Sequence, residues 1–140
     1  MSIRQISVFL ENKPGALLGM TRVLSEKNID MRAFSLAETS DFGIARIIVD
    51  DIEGTTAVLR EAGFVHSITP VIGVAISNSP GGLNNALEAL SAEGVNVEYM
   101  YAFVGTQRES AYMIFRVADE EKAEAALRGR GVQLIDQEEL

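Results

Sequence analysis

One short phrase occurs twice in the 140-residue chain, and no other feature constrains the fold as strongly. The pattern Asn-x-Pro-Gly-x-Leu occurs as "NKPGAL", which begins at Asn12, and as "NSPGGL", which begins at Asn78. The two prolines, Pro14 and Pro80, lie 66 residues apart, close to half of the chain. The sequence therefore predicts an internal repeat and two similar domains, residues 1–68 and 69–140.

Hydrophobic periodicity predicts the same order of elements in each half. Apolar Ile6, Val8 and Leu10 alternate with their neighbours at the period of a strand. Helical i, i+3, i+4, i+7 spacing follows the second motif at Leu83, Ala86, Leu87 and Leu90. Two strands, a second helix and a last strand complete each half, so the order β-α-β-β-α-β predicts an α+β, ferredoxin-like fold. One continuous α+β domain with a coincidental repeat is the alternative.

The junction between the halves is predicted around His66–Pro70, where Pro70 should interrupt a strand-like stretch. Asn28 and Gly94 occupy equivalent positions after the first helix of each half, and both should end that helix.

Composition excludes several classes of function. The formal net charge of −8 disfavours nucleic acid and anionic membrane surfaces as partners. The longest apolar runs are too short to span a bilayer, and the N-terminus does not resemble a secretory leader, so a cytoplasmic protein is expected. The chain has no cysteine and a single histidine, His66, and it shows no nucleophile beside a base. We therefore predict no enzyme activity, cofactor or metal site.

Two longer segments carry a resemblance to a known family: "ENKPGALLGMTRVLSEKNIDM" and "SNSPGGLNNALEALSAEGVNV". They resemble the opening of ACT domains, which are small regulatory modules that bind amino acids. The segments "AFSLAETSDFGIARIIVDD" and "GVNVEYMYAF" are similar to stand-alone proteins made of two ACT domains. The resemblance covers essentially the whole chain. It implies two βαββαβ domains side by side in a wider antiparallel sheet, helices on one face, and ligand binding at the seam.

The repeated motif has a physical interpretation of its own. Proline pre-sets φ for the first turn of a helix, and glycine allows another group to approach the backbone. Ser79, Asn12 or Asn78 should cap the helix start. The remaining N–H groups of the first turn point outward and favour a carboxylate. The simpler interpretation is that each motif is only a well-capped helix start.

Geometry suggests what completes each motif. If two repeats join their second-strand edges antiparallel, each motif lies near the start of the other repeat's second strand. That arrangement would bring Asn12 near Asn96, and Asn78 near Asp30. These positions resemble the asparagines that hold serine in ACT domains of phosphoglycerate dehydrogenase, except that Asp30 replaces one of them. The predicted ligand-binding residues are Asn12, Lys13, Gly15, Ala16, Leu17, Asp30, Asn78, Ser79, Gly81, Gly82, Leu83 and Asn96.

The sequence thus predicts a non-enzymatic regulator or sensor that binds a free amino acid at the interface between its two domains. Its signal would pass to a client protein that the sequence does not identify. We also expect a homodimer, because the sheet faces opposite the helices would otherwise stay exposed. The alternative is a structural or assembly subunit that mediates protein–protein contact without a small ligand.

Overall fold

The computed structural model describes residues 2–105 and 108–140. In chain order the elements are β1 (Ile3–Glu11), α1 (Ala16–Glu26), β2 (Met31–Glu38), β3 (Phe42–Val49), α2 (Ile52–Glu61), β4 (His66–Ser77), α3 (Gly82–Ala92), β5 (Tyr99–Phe103), β6 (Ser110–Arg116), α4 (Glu120–Gly129), β7 (Gln133–Ile135) and a 3-10 turn (Gln137–Glu139). Two compact units divide the chain. The N-terminal unit is Arg4–Thr69, and the C-terminal unit is Pro70–Leu140 together with the start of the chain up to Ile3.

The N-terminal unit contains β1, α1, β2, β3, α2 and the first part of β4. Its strand order is β2-β3-β1-β4, and β3 forms antiparallel ladders with both β1 and β2. Ile6, Val8 and Leu10 of β1 share one face of the strand and pack with apolar side chains of the two helices. Gln5 and Ser7, on the other face, are buried as well. The buried residues of this core include Ile6, Val8, Leu10, Met20, Leu24, Ile47 and Leu59.

The C-terminal unit repeats this plan with the second part of β4, α3, β5, β6, α4 and β7. Here β4 lies between β6 and β7, while β5 pairs with β6, and all of these ladders are antiparallel. Its core includes Ile72, Val74, Leu90, Phe115 and Leu127. The predicted α+β class, with a ferredoxin-like βαββαβ unit in each half, is confirmed.

The predicted interruption at Pro70 is wrong. Strand β4 runs from His66 to Ser77 without a break, so one strand contributes to both units. Proline fixes φ at a value that extended backbone tolerates, and it removes only one donor. Its carbonyl oxygen accepts a hydrogen bond from Arg116 Nη1 at 2.9 Å, and the ladder with β6 starts two residues later, at Ile72.

The predicted helix ends are confirmed at both equivalent positions. Asn28 follows α1 with φ +56°, and Gly94 follows α3 with φ +69°, in the left-handed region that Asn and Gly favour. Helices α1 and α3 have 11 residues each. None of the helices in the part of the chain described here is long and apolar enough to cross a bilayer.

Candidate functional site

Each repeated motif forms a corner between a strand and a helix. We call Asn12–Leu17 the first corner and Asn78–Leu83 the second corner. The N-cap residues are Gly15, with φ +84°, and Gly81, with φ +90°. An L-residue rarely adopts this left-handed conformation, whereas glycine does so at little cost. The glycine of the motif is therefore required by the turn itself, and open space surrounds the position of its missing Cβ atom.

The predicted capping of these helices is wrong. The prolines lie in the turn before each helix instead of in its first turn, and no side chain caps either helix start. The Ser79 hydroxyl lies 2.6 Å from the hydroxyl of Ser77, so it is bonded next to the end of β4. The first N–H group of each helix bonds to a backbone carbonyl of its own corner instead: Ala16 N donates to Lys13 O at 3.3 Å, and Gly82 N donates to Ser79 O at 3.1 Å.

The motif asparagines instead bind the neighbouring hairpin of their own unit. Asn12 Nδ2 donates to the carbonyl oxygen of Thr39 at 3.0 Å, and Asn12 N donates to that of Asp41 at 2.9 Å. Both bonds recur at the second corner, from Asn78 Nδ2 to Arg108 O at 3.3 Å and from Asn78 N to Glu109 O at 2.9 Å. The asparagines thus hold each corner against the hairpin that follows the second strand.

The other two long helices begin differently. Asp51 accepts a hydrogen bond from Gly54 N at 2.9 Å at the start of α2, and Asp119 accepts one from Lys122 N at 3.1 Å at the start of α4. Both of these helices also have acidic residues in the first turn, whereas α1 and α3 have none. The partial positive charge of the N-terminal N–H groups is thus met by a carboxylate at α2 and α4 only. The starts of α1 and α3 have no such carboxylate of their own.

A cavity of about 350 Å³ adjoins the second corner within the C-terminal unit. The corner contributes Ser79, Gly81 and Gly82, which were among the predicted site residues, together with Pro80 of the repeated motif. The sequence did not indicate the other lining residues, which are Ala75, Ile76, Ser77, Asn85, Gly131 and Val132. Asn85 lies one helical turn after Gly81, a spacing that could have signalled it. Gly131 and Val132 come from the turn before β7 and are brought there only by tertiary packing.

The first corner carries the one lysine among the predicted site residues. Lys13 Nζ lies 2.9 Å from Glu11 Oε2, and both side chains are well exposed. Exposed pairs of this kind contribute little to stability and exchange partners readily. Ala16 and Leu17 are half-buried at the start of α1, and Leu17 packs against the core, as Leu83 does in the second corner.

Asp30 lies at the opposite end of β2 from the first corner. Its carboxylate pairs with Arg32 Nε at 3.1 Å, and its backbone N donates to Asp50 Oδ1 at 3.0 Å. The eight residues of β2 separate it from the Thr39 carbonyl that Asn12 contacts, a span of about 26 Å at the usual rise of a strand. A corner and the start of the second strand of the same unit are therefore far apart.

Asn96 occupies the equivalent place in the C-terminal unit, three residues before β5, and it is exposed. The pairing of Asn12 with Asn96, and of Asn78 with Asp30, joins residues of different units and stays a prediction. Among residues 2–105 and 108–140, no group of three or more acidic or histidine side chains is placed to hold a metal ion. His66 Nδ1 lies 2.9 Å from the carbonyl oxygen of Phe64.

Comparisons with known proteins agree with the fold described above. The family model described as "ACT domain pair" matches residues 1–140. The protein BT0572 from Bacteroides thetaiotaomicron has a similar crystal structure, with 40% sequence identity and a TM-score of 0.90 over 96% of this chain and 92% of that one. The ligand-free regulatory subunit of aspartate kinase from Thermus thermophilus is similar in fold, with 20% identity and a TM-score of 0.67 over 91% and 89% of the two chains.

The corresponding subunit from Thermus flavus is also similar in fold, with 22% identity, a TM-score of 0.63, and coverage of 91% and 90%. A comparison with curated proteins produced no match. The family match covers every residue, and both halves have the same βαββαβ plan with the same glycine-started corner. The chain belongs to the ACT domain pair family.

Proposed function

We propose that this protein is a non-enzymatic regulator that binds a free amino acid at its motif corners. Pairs of ACT domains are typical of amino-acid-sensing regulatory proteins. The single observation that carries the proposal is the contrast among the four long helices. Those that start at a motif corner have no acidic residue or side-chain cap at the N-terminus, whereas the other two hold their own aspartate. An amino acid brings the carboxylate that would meet the uncapped N–H groups.

The same amino acid needs an acceptor for its ammonium group. Asn96 and Asp30 are the candidates that the sequence pairs with Asn12 and Asn78. An ionised aspartate only accepts hydrogen bonds and suits an ammonium group, whereas asparagine both donates and accepts. The two sites would therefore have unequal affinities, even though their corners are equivalent.

Binding would act through linkage. A ligand held between a corner and a second-strand start stabilises the arrangement that brings them together, and any partner protein that prefers this arrangement then binds more tightly. We propose that the signal passes to such a partner, by analogy with the aspartate kinase regulatory subunits that share the fold.

A thermal-shift panel of the twenty amino acids tests the proposal, with Asn96→Ala as the site variant. Gln133→Ala is the matched control, because Gln133 is an exposed amide side chain on β7 of the same unit. A ligand at a hundred times its dissociation constant stabilises the folded state by about 2.7 kcal/mol, enough for a clear rise in melting temperature. Loss of a hydrogen bond to a charged group weakens binding by about tenfold or more, so Asn96→Ala should reduce the shift and Gln133→Ala should not.

Flat melting curves for all twenty amino acids would contradict the proposal and favour an assembly subunit without a ligand. Calorimetric titration with the best ligand adds a second check. Two unequal sites should give a two-step isotherm, and Asp30→Asn should change one of the two steps only.

A further inference from the structure

We propose that Ile3 is a latch, a side chain at the start of β1 that stabilises the C-terminal unit for as long as β1 is held in the N-terminal unit. The division of the chain falls inside this strand. Residues up to Ile3 belong to the C-terminal unit, and Arg4 begins the N-terminal unit. Strand β1 is therefore shared, and the contacts of Ile3 show what its first residue does in the C-terminal unit.

One row of side chains across the C-terminal sheet is interrupted by a glycine. Gly73 on β4 is opposite Ile114 on β6 and opposite Ile135 on β7, and Ile114 is in turn opposite Tyr101 on β5. Residues opposite each other in a ladder point to the same face. Ile114 and Ile135 thus stand on either side of a position that has no side chain. We call the space over Gly73 between these two isoleucines the notch.

The Ile3 side chain fills the notch. A Cβ atom added to Gly73 would lie 2.5 Å from Ile3 Cδ1, well inside the normal contact distance of two carbon atoms, about 3.5–4.0 Å. Ile3 and Ile114 are 0% exposed, and Ile135 is 3% exposed. The notch faces away from the core beneath α3 and α4, because Ile72, which precedes Gly73, belongs to that core and successive side chains of a strand point to opposite faces.

The equivalent row of the N-terminal unit is polar. It consists of Ser7, Arg46 and Ser35, which are opposite one another across β1, β3 and β2. The Ser7 hydroxyl accepts a hydrogen bond from Gln5 Nε2 at 3.1 Å. The two units share their strand plan, yet the row that receives an apolar side chain is apolar in the C-terminal unit. This difference between the repeats indicates that the C-terminal row is adapted to Ile3.

The residues on either side of Ile3 mark where the latch ends. Ser2 Oγ donates to Glu120 Oε1 at 2.6 Å, at the first residue of α4 in the C-terminal unit. Arg4 instead contacts Glu53 on α2 of the N-terminal unit, at 3.4 Å. Both contacts are exposed and contribute little to stability. The buried Ile3 side chain therefore supplies most of the stabilisation.

The latch makes the stability of the C-terminal unit depend on β1. Strand β1 is held in the N-terminal unit by its ladder with β3, from Ile6 to Glu11. When that unit opens and β1 is released, Ile3 leaves the notch and exposes apolar surface in the C-terminal unit. Truncation of a fully buried isoleucine to alanine raises the unfolding equilibrium constant by about thirtyfold or more, which sets the size of the effect.

Strand β1 also connects the notch to the first corner, because it ends at Glu11, directly before Asn12. An amino acid bound at the first corner would stabilise β1 and keep Ile3 in the notch. This consequence rests on the proposed function, whereas the latch itself does not.

A double-mutant cycle between Ile3 and Gly73 tests the latch in urea unfolding of the full chain without any amino acid. Gly73 has the extended backbone of β4, so alanine there meets only the clash with Ile3 Cδ1. Gly73→Ala alone should raise the unfolding equilibrium constant by about tenfold. Ile3→Val removes Cδ1, and in that background Gly73→Ala should lower the constant, because alanine is favoured over glycine within a strand.

Gly43→Ala is the matched control for this cycle. Gly43 lies on β3 of the N-terminal unit, and a Cβ there would lie 3.4 Å from Leu36 Cδ1, an ordinary contact. Its effect should be the same with isoleucine or valine at position 3. An equal effect of Gly73→Ala in both backgrounds would overturn the proposal.

Hydrogen exchange of the full chain shows which unit Ile3 stabilises. Ile3→Ala should speed exchange of the slowest amides of β6 in the C-terminal unit by about thirtyfold or more. Unchanged exchange in β6, with faster exchange in β3 only, would show that Ile3 acts within the N-terminal unit and would overturn the latch. A confirmed latch in a protein without any thermal-shift ligand would refute the proposed function alone.

Discussion

Replacement of Gly15 by alanine tests the role of the motif glycine, and Gly19→Ala in the same helix is the matched control. Apart from the adjacent backbone, no atom lies within 4 Å of a Cβ placed at either glycine, so neither alanine clashes with its surroundings. The two substitutions therefore differ only in backbone conformation. Gly15 has φ +84°, where an L-residue costs about 1–2 kcal/mol. Gly19 lies within α1, where alanine is favoured over glycine by about 0.5–1 kcal/mol.

The expected difference in unfolding free energy between the two variants is therefore about 1.5–3 kcal/mol, with the wild type between them. Urea unfolding followed by far-UV circular dichroism measures this difference. With an m-value of about 1.5 kcal/mol/M, the midpoints of the two variants should differ by about 1–2 M urea. A Gly15→Ala midpoint at or above that of the wild type would show that the corner does not need a left-handed residue, and the structural basis of the motif would be wrong.

Two further predictions concern the capped helices and the open edge. Asp51→Ala and Asp119→Ala each remove an N-cap hydrogen bond, so each should lower the free energy of unfolding by about 1 kcal/mol in urea titrations; unchanged midpoints would contradict the contrast between the two kinds of helix start. Phe34→Ser and Leu36→Ser should lower the free energy of unfolding far less than Leu24→Ala, because Phe34 and Leu36 are 36% and 47% exposed. Leu24 is 1% exposed, and its truncation should cost about 2–5 kcal/mol; equal losses at all three positions would show that Phe34 and Leu36 belong to the core.

The strands and helices were predictable because the spacing of apolar residues in the sequence shows which face of each element is buried. Ile6, Val8 and Leu10 alternate in the sequence, and all three are buried beneath the helices. The helix ends at Asn28 and Gly94 were predictable because few residues tolerate a positive φ. These signals are local, so they can be recognised without knowledge of the rest of the chain.

The chemistry of the corners was only partly predictable. The motif correctly indicated a strand-to-helix turn in both units, but the interpretation of its asparagines and Ser79 as helix caps was wrong. Whether Asn12 binds its own helix or the hairpin at Thr39 depends on the path set by the left-handed Gly15. The residue types around Asn12 are compatible with either hydrogen-bond partner, so the sequence near Asn12 does not predict which one it binds.

By itself, the sequence determined the two βαββαβ units, the start of α1 and α3 at a Pro-Gly corner, and the polar character of those corners. Only the tertiary structure decided that the corners have no side-chain cap, that Gly131 and Val132 line a cavity beside one of them, and that β2 and β5 present open edges. The reason is physical. Periodicity and turn propensity act over a few residues, whereas hydrogen-bond partners and strand neighbours are selected by packing between segments that lie far apart in the chain.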